Sequence, residues 1–255
     1  MTVFAGYSRY YDLLYRDKDY AGEARYVSGL ISRHSPSAKQ ILEIGCGTGA
    51  HAAQWAQMRF EVVGVDRSEG MLEAAAARRA SLEPSIAEKL SFEEGDARTL
   101  RVGRRFDVVT SLFHVMSYQT ANTDLAAAFA TAREHLAPGG VFIFDCWYGP
   151  AVIRQWPSVT EKKLADETTS VNRIAEPVMY PNQNVVDVNY TVDVTDLLTG
   201  ATETLHETHR MRYLFTPEVE LALAAAGMTL VDSRAWMTEN PPGFDSWGAC
   251  YVGKA

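Results

Sequence analysis

Between Lys39 and Tyr148, short apolar runs alternate with stretches of helical periodicity. The runs are QILEIG, FEVVGVD, LSFEEGD, FDVVTSL and GVFIFDCW. Runs that are apolar at successive positions belong to strands covered on both faces, so the intervening segments should be the covering helices. One of these segments carries Leu125, Phe129, Ala132 and Leu136 at spacings of three and four, a single buried stripe. Pro138-Gly139-Gly140 should stop it. The pattern predicts a doubly wound α/β core with a parallel sheet.

After Tyr148 the rhythm changes. In NVVDVNYTVDVT, Val186, Val188, Tyr190, Val192 and Val194 alternate with Asp187, Asn189, Thr191 and Asp193. That alternation predicts antiparallel strands with one wet face. Turn signals stand on either side, at Pro181-Asn182 and Thr199-Gly200. A small antiparallel sheet, over residues 168–215, is thus expected after the fifth core strand. The core resumes at Thr216-Pro217-Glu218, read as N-cap, first-turn proline and acid, with Gly227 as the stop. MTLVDSRAW and WGACYVG read as two closing strands.

Composition narrows the function classes. The chain has 255 residues, 47% hydrophobic and 22% charged, enough to bury a sizeable core. A net charge of −8 disfavours nonspecific binding to nucleic acid or anionic membrane. Cys46, Cys146 and Cys250 are far apart with no metal-type spacing, which points to free thiols in a reducing compartment. No apolar run is long enough to span a bilayer, and no signal-peptide core stands at the N-terminus. A soluble cytoplasmic protein is expected.

The chemistry gathers at QILEIGCGTGAH. Gly45, Gly47 and Ala50 satisfy the dinucleotide fingerprint G-x-G-x-x-G/A. Asp66 ends the second strand about twenty residues later, the place of a carboxylate that grips ribose hydroxyls. Asp96 ends the third strand, where it can accept from an exocyclic adenine amine while the next N–H, that of Ala97, reaches a ring nitrogen. Glu43 stands just before the glycines. Beside a pyrophosphate it would be repulsive, but beside a sulfonium or ammonium it is favourable. S-adenosylmethionine fits these three acids better than NAD does, and an NAD(P)-dependent oxidoreductase is the alternative they disfavour.

ILEIGCGTG, VVGVDRSEGML, GDARTL, FDVVTSLFHV and LAPGGVFIFD resemble, in order, the motifs of class I S-adenosylmethionine-dependent methyltransferases. The resemblance covers residues 38–146 and 216–254. It implies a doubly wound mixed sheet of seven strands, the last antiparallel, here with a small antiparallel insert after the fifth. The flanks YYDLLYRDKDYAGEA and HETHRMRYLFT are similar to the nucleotide-linked amino-sugar N,N-dimethyltransferases. That narrower resemblance implies a small-molecule acceptor, a homodimer through the insert, and Tyr11 and Tyr20 facing the methionine part of the cofactor. Three parts follow: a helical cap over residues 1–37, a cofactor-binding core over 38–148 and 216–255, and an insert over 149–215 that roofs the acceptor site. Cofactor contacts are expected from Tyr11, Tyr20, Glu43, Gly45, Gly47, Asp66, Met71, Asp96, Ala97 and Leu112. No metal is expected.

The acceptor should lie beyond the carboxyl ends of strands four and five, near Phe113, His114, Tyr118, Asp145, Trp147 and Tyr148. His114 is the natural general base, since its ordinary pKa lies near neutrality. Tyr118 aligns with a position where the amino-sugar enzymes can carry a histidine. A phenol is a poor base near pH 7 but a good orienting donor. In the strand LHETHRMRY, Leu205, Glu207, His209, Met211 and Tyr213 share a face, with His206, Thr208, Arg210 and Arg212 opposite. Glu207 and His209 interrupt an apolar stripe, so they should pair with each other, the core or substrate. His114, Tyr118 and His209 are the expected catalytic set. HETH is not a zincin motif, because its histidines point to opposite faces of a strand.

NPPGF at 240–244 reads as a turn, and Arg78-Arg79 and Arg104-Arg105 as helix-end or loop charges. Where the amino-sugar enzymes often carry Ser-Gly-Arg-Gly, this chain has Asp245-Ser246-Trp247-Gly248, an aromatic in place of a phosphate-binding cation. The expected function is methylation of a small molecule, N-methylation of an amino sugar or related metabolite first. An O-methyltransferase and a non-enzymatic S-adenosylmethionine-binding protein are the alternatives, and the acceptor atom stays open.

Overall fold

The computed structural model describes residues 8–255, with side chains from Tyr11 onward, so Tyr7, the side chain of Tyr10 and the start of the expected 1–37 cap lie outside the described residues. Two helices come first, α1 (Ser8–Leu14) and α2 (Tyr20–His34). Asp19 caps α2 by accepting from the Gly22 N–H at 2.8 Å. The core then runs β1 (Gln40–Ile44), α3 (Ala50–Gln57), β2 (Glu61–Asp66), α4 (Glu69–Ala80), a short α5 (Pro84–Ala87) and β3 (Leu90–Glu94). It continues with β4 (Phe106–Ser111), α6 (Asn122–Glu134) and β5 (Leu136–Tyr148). A short α7 (Gly149–Arg154) leads into β6 (Thr160–Ala165), β7 (Thr169–Tyr180), β8 (Val185–Asp196) and β9 (Thr202–Leu214). α8 (Thr216–Ala225), β10 (Thr229–Ala235) and β11 (Gly248–Lys254) close the chain.

The five apolar runs are the parallel strands, ordered β3-β2-β1-β4-β5. Their successive residues face opposite layers. Leu42, Val63, Val109 and Phe142 pack in a cluster with Phe129 and Leu223, whereas Ile41, Val62, Val108 and Ile143 pack with Leu30 and Trp55. β11 lies antiparallel beside β5, and β10 pairs antiparallel with β11.

The sheet differs from expectation in extent. β5 runs past the end of β4, and its last residues, Trp147 and Tyr148, pair with Tyr213 and Leu214 of β9. Strands β9-β8-β7-β6 therefore continue the same sheet, which among the described residues has 11 strands, not seven beside a separate insert. The insert has four strands because β6 joins it. That segment, TEKKLA, shows no apolar alternation and carries Lys162 and Lys163, as edge strands do.

Two local boundaries also shift. Leu136 opens β5, not the helix before it, and Pro138-Gly139-Gly140 lie inside the strand, where the register against β4 slips between Phe106 and Val108. Thr216 lies within α8 and bonds Tyr251 at 3.1 Å, while the Phe215 N–H donates to Glu218 at 3.4 Å. The helix thus starts one residue earlier than its sequence signal.

Candidate active site

The glycine turn leaves β1 in left-handed conformations, with φ of 75° at Gly45, 54° at Gly47 and 71° at Gly49. A Cβ at Gly45 would stand 2.5 Å from Val115, so the residue permits close packing as well as the turn. A Cβ at Gly47 would meet nothing within 4 Å, because that glycine faces open space. The Gly47 N–H donates to Asp66 at 2.9 Å, and Ser68 N–H donates to the other oxygen at 2.9 Å. Burial raises the Asp66 pKa despite these bonds. Asp96 is gripped by Arg98 through both oxygens, at 2.8 and 2.6 Å, and its pKa is lowered by that guanidinium. Arg98 also reaches Asp124 at 3.3 Å.

One cavity of about 470 Å³ runs from this turn toward the insert. Of the residues expected at the cofactor, Tyr11, Gly45, Gly47, Asp66, Met71, Asp96, Ala97 and Leu112 line it. Glu43 and Tyr20 do not. Glu43 is 1% exposed and turns its carboxylate toward His51, whose Nδ1 is 3.6 Å away. β1 is covered on both faces, and Glu43 points to His51 in the layer of α2 and α3 and forms no part of the cavity wall. Tyr20 packs edge-on against the same histidine, ring centres 4.9 Å apart.

His51 is the centre of a buried charge cluster that no motif signalled. Its Nε2 bonds Glu23 at 2.7 Å, and Glu23 also pairs with Lys18. Burial opposes a charge on His51, but its bonds to Glu23 and Glu43 win, and its pKa is raised. Burial likewise works against Glu23, yet His51 and Lys18 hold its pKa down. Arg78 was read as a helix-end charge. It does stand in the last turn of α4, and from there it donates to the Thr48 carbonyl at 2.9 Å and to Asp12 at 2.7 Å, tying the glycine turn to α1.

At the other end of the cavity stand His114, Tyr118 and His209. Phe113 and His114 both have positive φ, 62° and 64°, a strained pair for non-glycine residues. Asp145, 1% exposed on β5, holds them there: it accepts from the His114 N–H at 3.1 and 3.2 Å. His114 Nδ1 lies 2.6 Å from Asp145, poorly aligned for a hydrogen bond but close enough for strong attraction. A carboxylate there favours the proton on Nδ1, which leaves the lone pair on Nε2.

Tyr118 Oη and His209 Nδ1 are 2.7 Å apart, and His209 Nε2 is 3.1 Å from Glu207. His209 is 4% exposed and packs edge-on against Tyr190, centres 4.8 Å apart. Thus Glu207 and His209 pair with each other, as the interrupted stripe required. Tyr15, Tyr190 and Arg98 also line the cavity and were not singled out in the sequence. Tyr15 was hidden in a run of tyrosines, and Tyr190 was counted as one more apolar position of β8. Trp147 and Trp247 meet at 5.5 Å, beside the cavity wall that Trp147 forms.

A glycine open to the cavity, a half-buried carboxylate at the end of β2, and a second carboxylate at the end of β3 suit an adenosyl ligand with a ribose diol and an exocyclic amine. Fold and site together define a Rossmann-like adenosyl-binding protein. Residues 41–140 match the family described as "Methyltransferase domain". Over 221 residues the chain is 32% identical to the dTDP-3-amino-3,4,6-trideoxy-alpha-D-glucopyranose N,N-dimethyltransferase of Streptomyces venezuelae, covering 86% of this chain and 88% of that one. The crystal structure of Streptomyces venezuelae DesVI superposes with a TM-score of 0.80 at 28% identity, over 98% of both chains. SAM-bound CalS10, an amino pentose methyltransferase from Micromonospora echinaspora, superposes with a TM-score of 0.76 at 26% identity, over 100% of this chain and 98% of that one. The chain belongs to the S-adenosylmethionine-dependent methyltransferases and is an enzyme of small-molecule methylation. Among the described residues, no helix is long and apolar enough to cross a membrane.

Proposed function

We propose that this enzyme N-methylates a nucleotide-linked amino sugar. The observation that carries the reading is the single cavity joining Gly47, Asp66 and Asp96 at one end to His114, Tyr118 and His209 at the other. When bound, S-adenosylmethionine supplies a methyl group on a sulfonium. The chain's own residues hold the acceptor in line, exclude water and take one proton per transfer. Asp66 and Asp96 hold the ribose and adenine, and Gly45, Gly47, Met71, Ala97, Leu112 and Tyr11 form the walls. His114, oriented by Asp145, takes the proton at Nε2 and frees the amine lone pair. Residues 1–37 act as the cap, 38–148 and 216–255 as the core, and 149–215 as the roof of the acceptor site. The narrow family resemblance supports a homodimer through the insert. Three free, buried cysteines suit a reducing cytoplasm.

The test is incubation with methyl-labelled S-adenosylmethionine and dTDP-3-amino-3,4,6-trideoxy-α-D-glucopyranose, the sugar in the Streptomyces venezuelae relative's name. Two labels on the sugar nitrogen are the expected result. Label on a hydroxyl would make the enzyme an O-methyltransferase. Trp247, standing where an arginine would meet a phosphate, favours a second reading, an acceptor without the diphosphate. Methylation of the free amino sugar in preference to the nucleotide-linked one would decide for it.

A further inference from the structure

Thr208, His209, Arg210 and Met211 all line the cavity. Successive side chains of a strand point to opposite faces, so no single face of β9 can supply four neighbours. The side chains of Thr208 and Arg210 are engaged elsewhere, across β8. Thr208 Oγ1 donates to Asn189 at 2.8 Å, and Arg210 donates to Gln183 at 2.8 Å and to Asp187 at 3.2 Å. The cavity therefore meets β9 along its edge. The direction of the main-chain groups on that edge follows from the register. β8 and β9 pair without a slip from Val185 against Arg212 to Thr195 against Thr202, and the Tyr213 N–H donates to the Asn184 carbonyl at 2.9 Å. Residues that bond across an antiparallel pair alternate with residues that do not. Tyr213, Met211 and His209 thus turn their N–H and C=O groups to β8, whereas Arg212, Arg210 and Thr208 turn theirs away from it. Among the described residues, β5 takes up this outer edge only at Tyr213 and Leu214. Farther back along β9 the edge is left to the cavity.

We propose that the outer edge of β9 at Thr208 and Arg210 is a main-chain subsite for ring hydroxyls of the acceptor. This deepens the amino-sugar reading given above and rests on it. In an extended strand the N–H and C=O of one residue point the same way, so each of these residues presents a donor beside an acceptor. A hydroxyl both gives and takes a hydrogen bond and matches that pair, whereas a protonated amine can only give. Buried main-chain groups need partners, and ring hydroxyls supply them when substrate displaces water from the cavity. Trp147 lines the same cavity and offers an apolar surface to the C–H groups of a sugar ring. Hydroxyls held on β9 and an amine delivered to His114 fix the ring at two points, on different elements of the chain. Specificity for the ring then resides in the main chain, where no sequence motif can announce it.

Amide hydrogen exchange of the wild-type enzyme, saturated with S-adenosylhomocysteine, tests this with two probes. One is the dTDP-amino sugar named above, and the other is dTDP-glucose, which has ring hydroxyls but no amine. Both should slow exchange at Thr208 and Arg210 by about tenfold or more, while His209 and Met211, already bonded to β8, stay as they were. Unchanged exchange at Thr208 and Arg210 with both sugars would overturn the proposal. Slowing by the amino sugar alone would also overturn it, since the contact would then depend on the amine. Slowing by dTDP-glucose in an enzyme that leaves the amino sugar unmethylated would end the amine reading and leave the subsite standing. A variant gives a second readout. Proline is tolerated on an edge strand where its missing N–H faces away from the ladder, so Thr208→Pro removes one donor from the subsite. Its acceptor KM should exceed that of Thr208→Ala, which keeps the N–H, by about tenfold, the loss of one hydrogen bond. Equal KM values in these two variants would count against the main chain as the reader of the ring.

Discussion

His114 is held in a conformation that costs on the order of 1–3 kcal/mol. Asp145 accepts from its backbone N–H and faces its ring from 2.6 Å, so one buried carboxylate sets both position and tautomer. If His114 is the base, His114→Ala should lower kcat by ~10²–10⁴-fold and leave S-adenosylhomocysteine affinity intact. A loss confined to KM would instead mean that it only orients the acceptor. Asp66→Ala should weaken S-adenosylhomocysteine binding by ~1–3 kcal/mol, because hydroxyls would face a cavity wall without their acceptor. The raised Asp66 pKa adds a pH dependence. Ribose hydroxyls favour the ionised carboxylate, so binding should weaken as pH falls through a range above that of an ordinary aspartate. Calorimetry showing the same affinity in Asp66→Ala would remove the assignment. The places of Asp66, Asp96 and His114 on the cavity wall were legible because each stands at or just beyond a strand's carboxyl end, where this fold opens. Glu43 was not, because a strand apolar on both faces carries no alternation to say which layer a polar residue enters.

At the scale of elements, α1 and α2 are tied to the glycine turn by buried charge. Arg78 joins Asp12 to Thr48, and His51 joins Glu23 on α2 to Glu43 on β1. The two sides of the His51 pair titrate in opposite senses. His51 has a raised pKa, so its contribution is complete below about 6.5 and is lost as pH rises through the folded value. Glu23 has a lowered pKa, so its contribution is complete above about 4.5 and is lost as pH falls through the folded value. Glu43, raised by burial, acts in the same direction as His51. The cap should therefore dock less firmly as pH rises, through Glu43 above about 4.5 and through His51 above about 6.5, and melting temperature should fall on the alkaline side. In His51→Gln that alkaline decline should flatten. An unchanged slope would mean that the cluster contributes nothing to docking. None of this was legible in the sequence, since Lys18, Glu23 and His51 each look like ordinary residues of a helix or loop and meet only through the fold.

Over the whole molecule, the seven core strands could be read from apolar runs, but the joining of insert and core could not. It rests on two residue pairs between β5 and β9, a non-local contact with no local signature. The same junction holds Arg212, 7% exposed on the face of β9 opposite the interrupted apolar stripe. Arg212 pairs with Glu218 on α8 and donates to the Thr120 carbonyl at 3.3 Å. It thus links the insert, the segment after Tyr118 and the returning core. Tyr213, Met211 and Val152 pack there, with Tyr118 and Trp147 against them. Glu218→Gln removes the partner charge from a buried guanidinium and should cost ~1–3 kcal/mol, less than a fully enclosed pair because Glu218 is partly exposed. The cofactor end of the cavity belongs to β1, β2 and β3, far along the sheet order from β9, so S-adenosylhomocysteine affinity should not change. The proposed acceptor end includes His209 and Tyr190 of the insert, so acceptor KM should rise, and amide exchange should quicken in β9 before it does in β1 or β4. If cofactor affinity and acceptor KM change together, the insert and the core move as one body, and the insert is not a separately anchored roof.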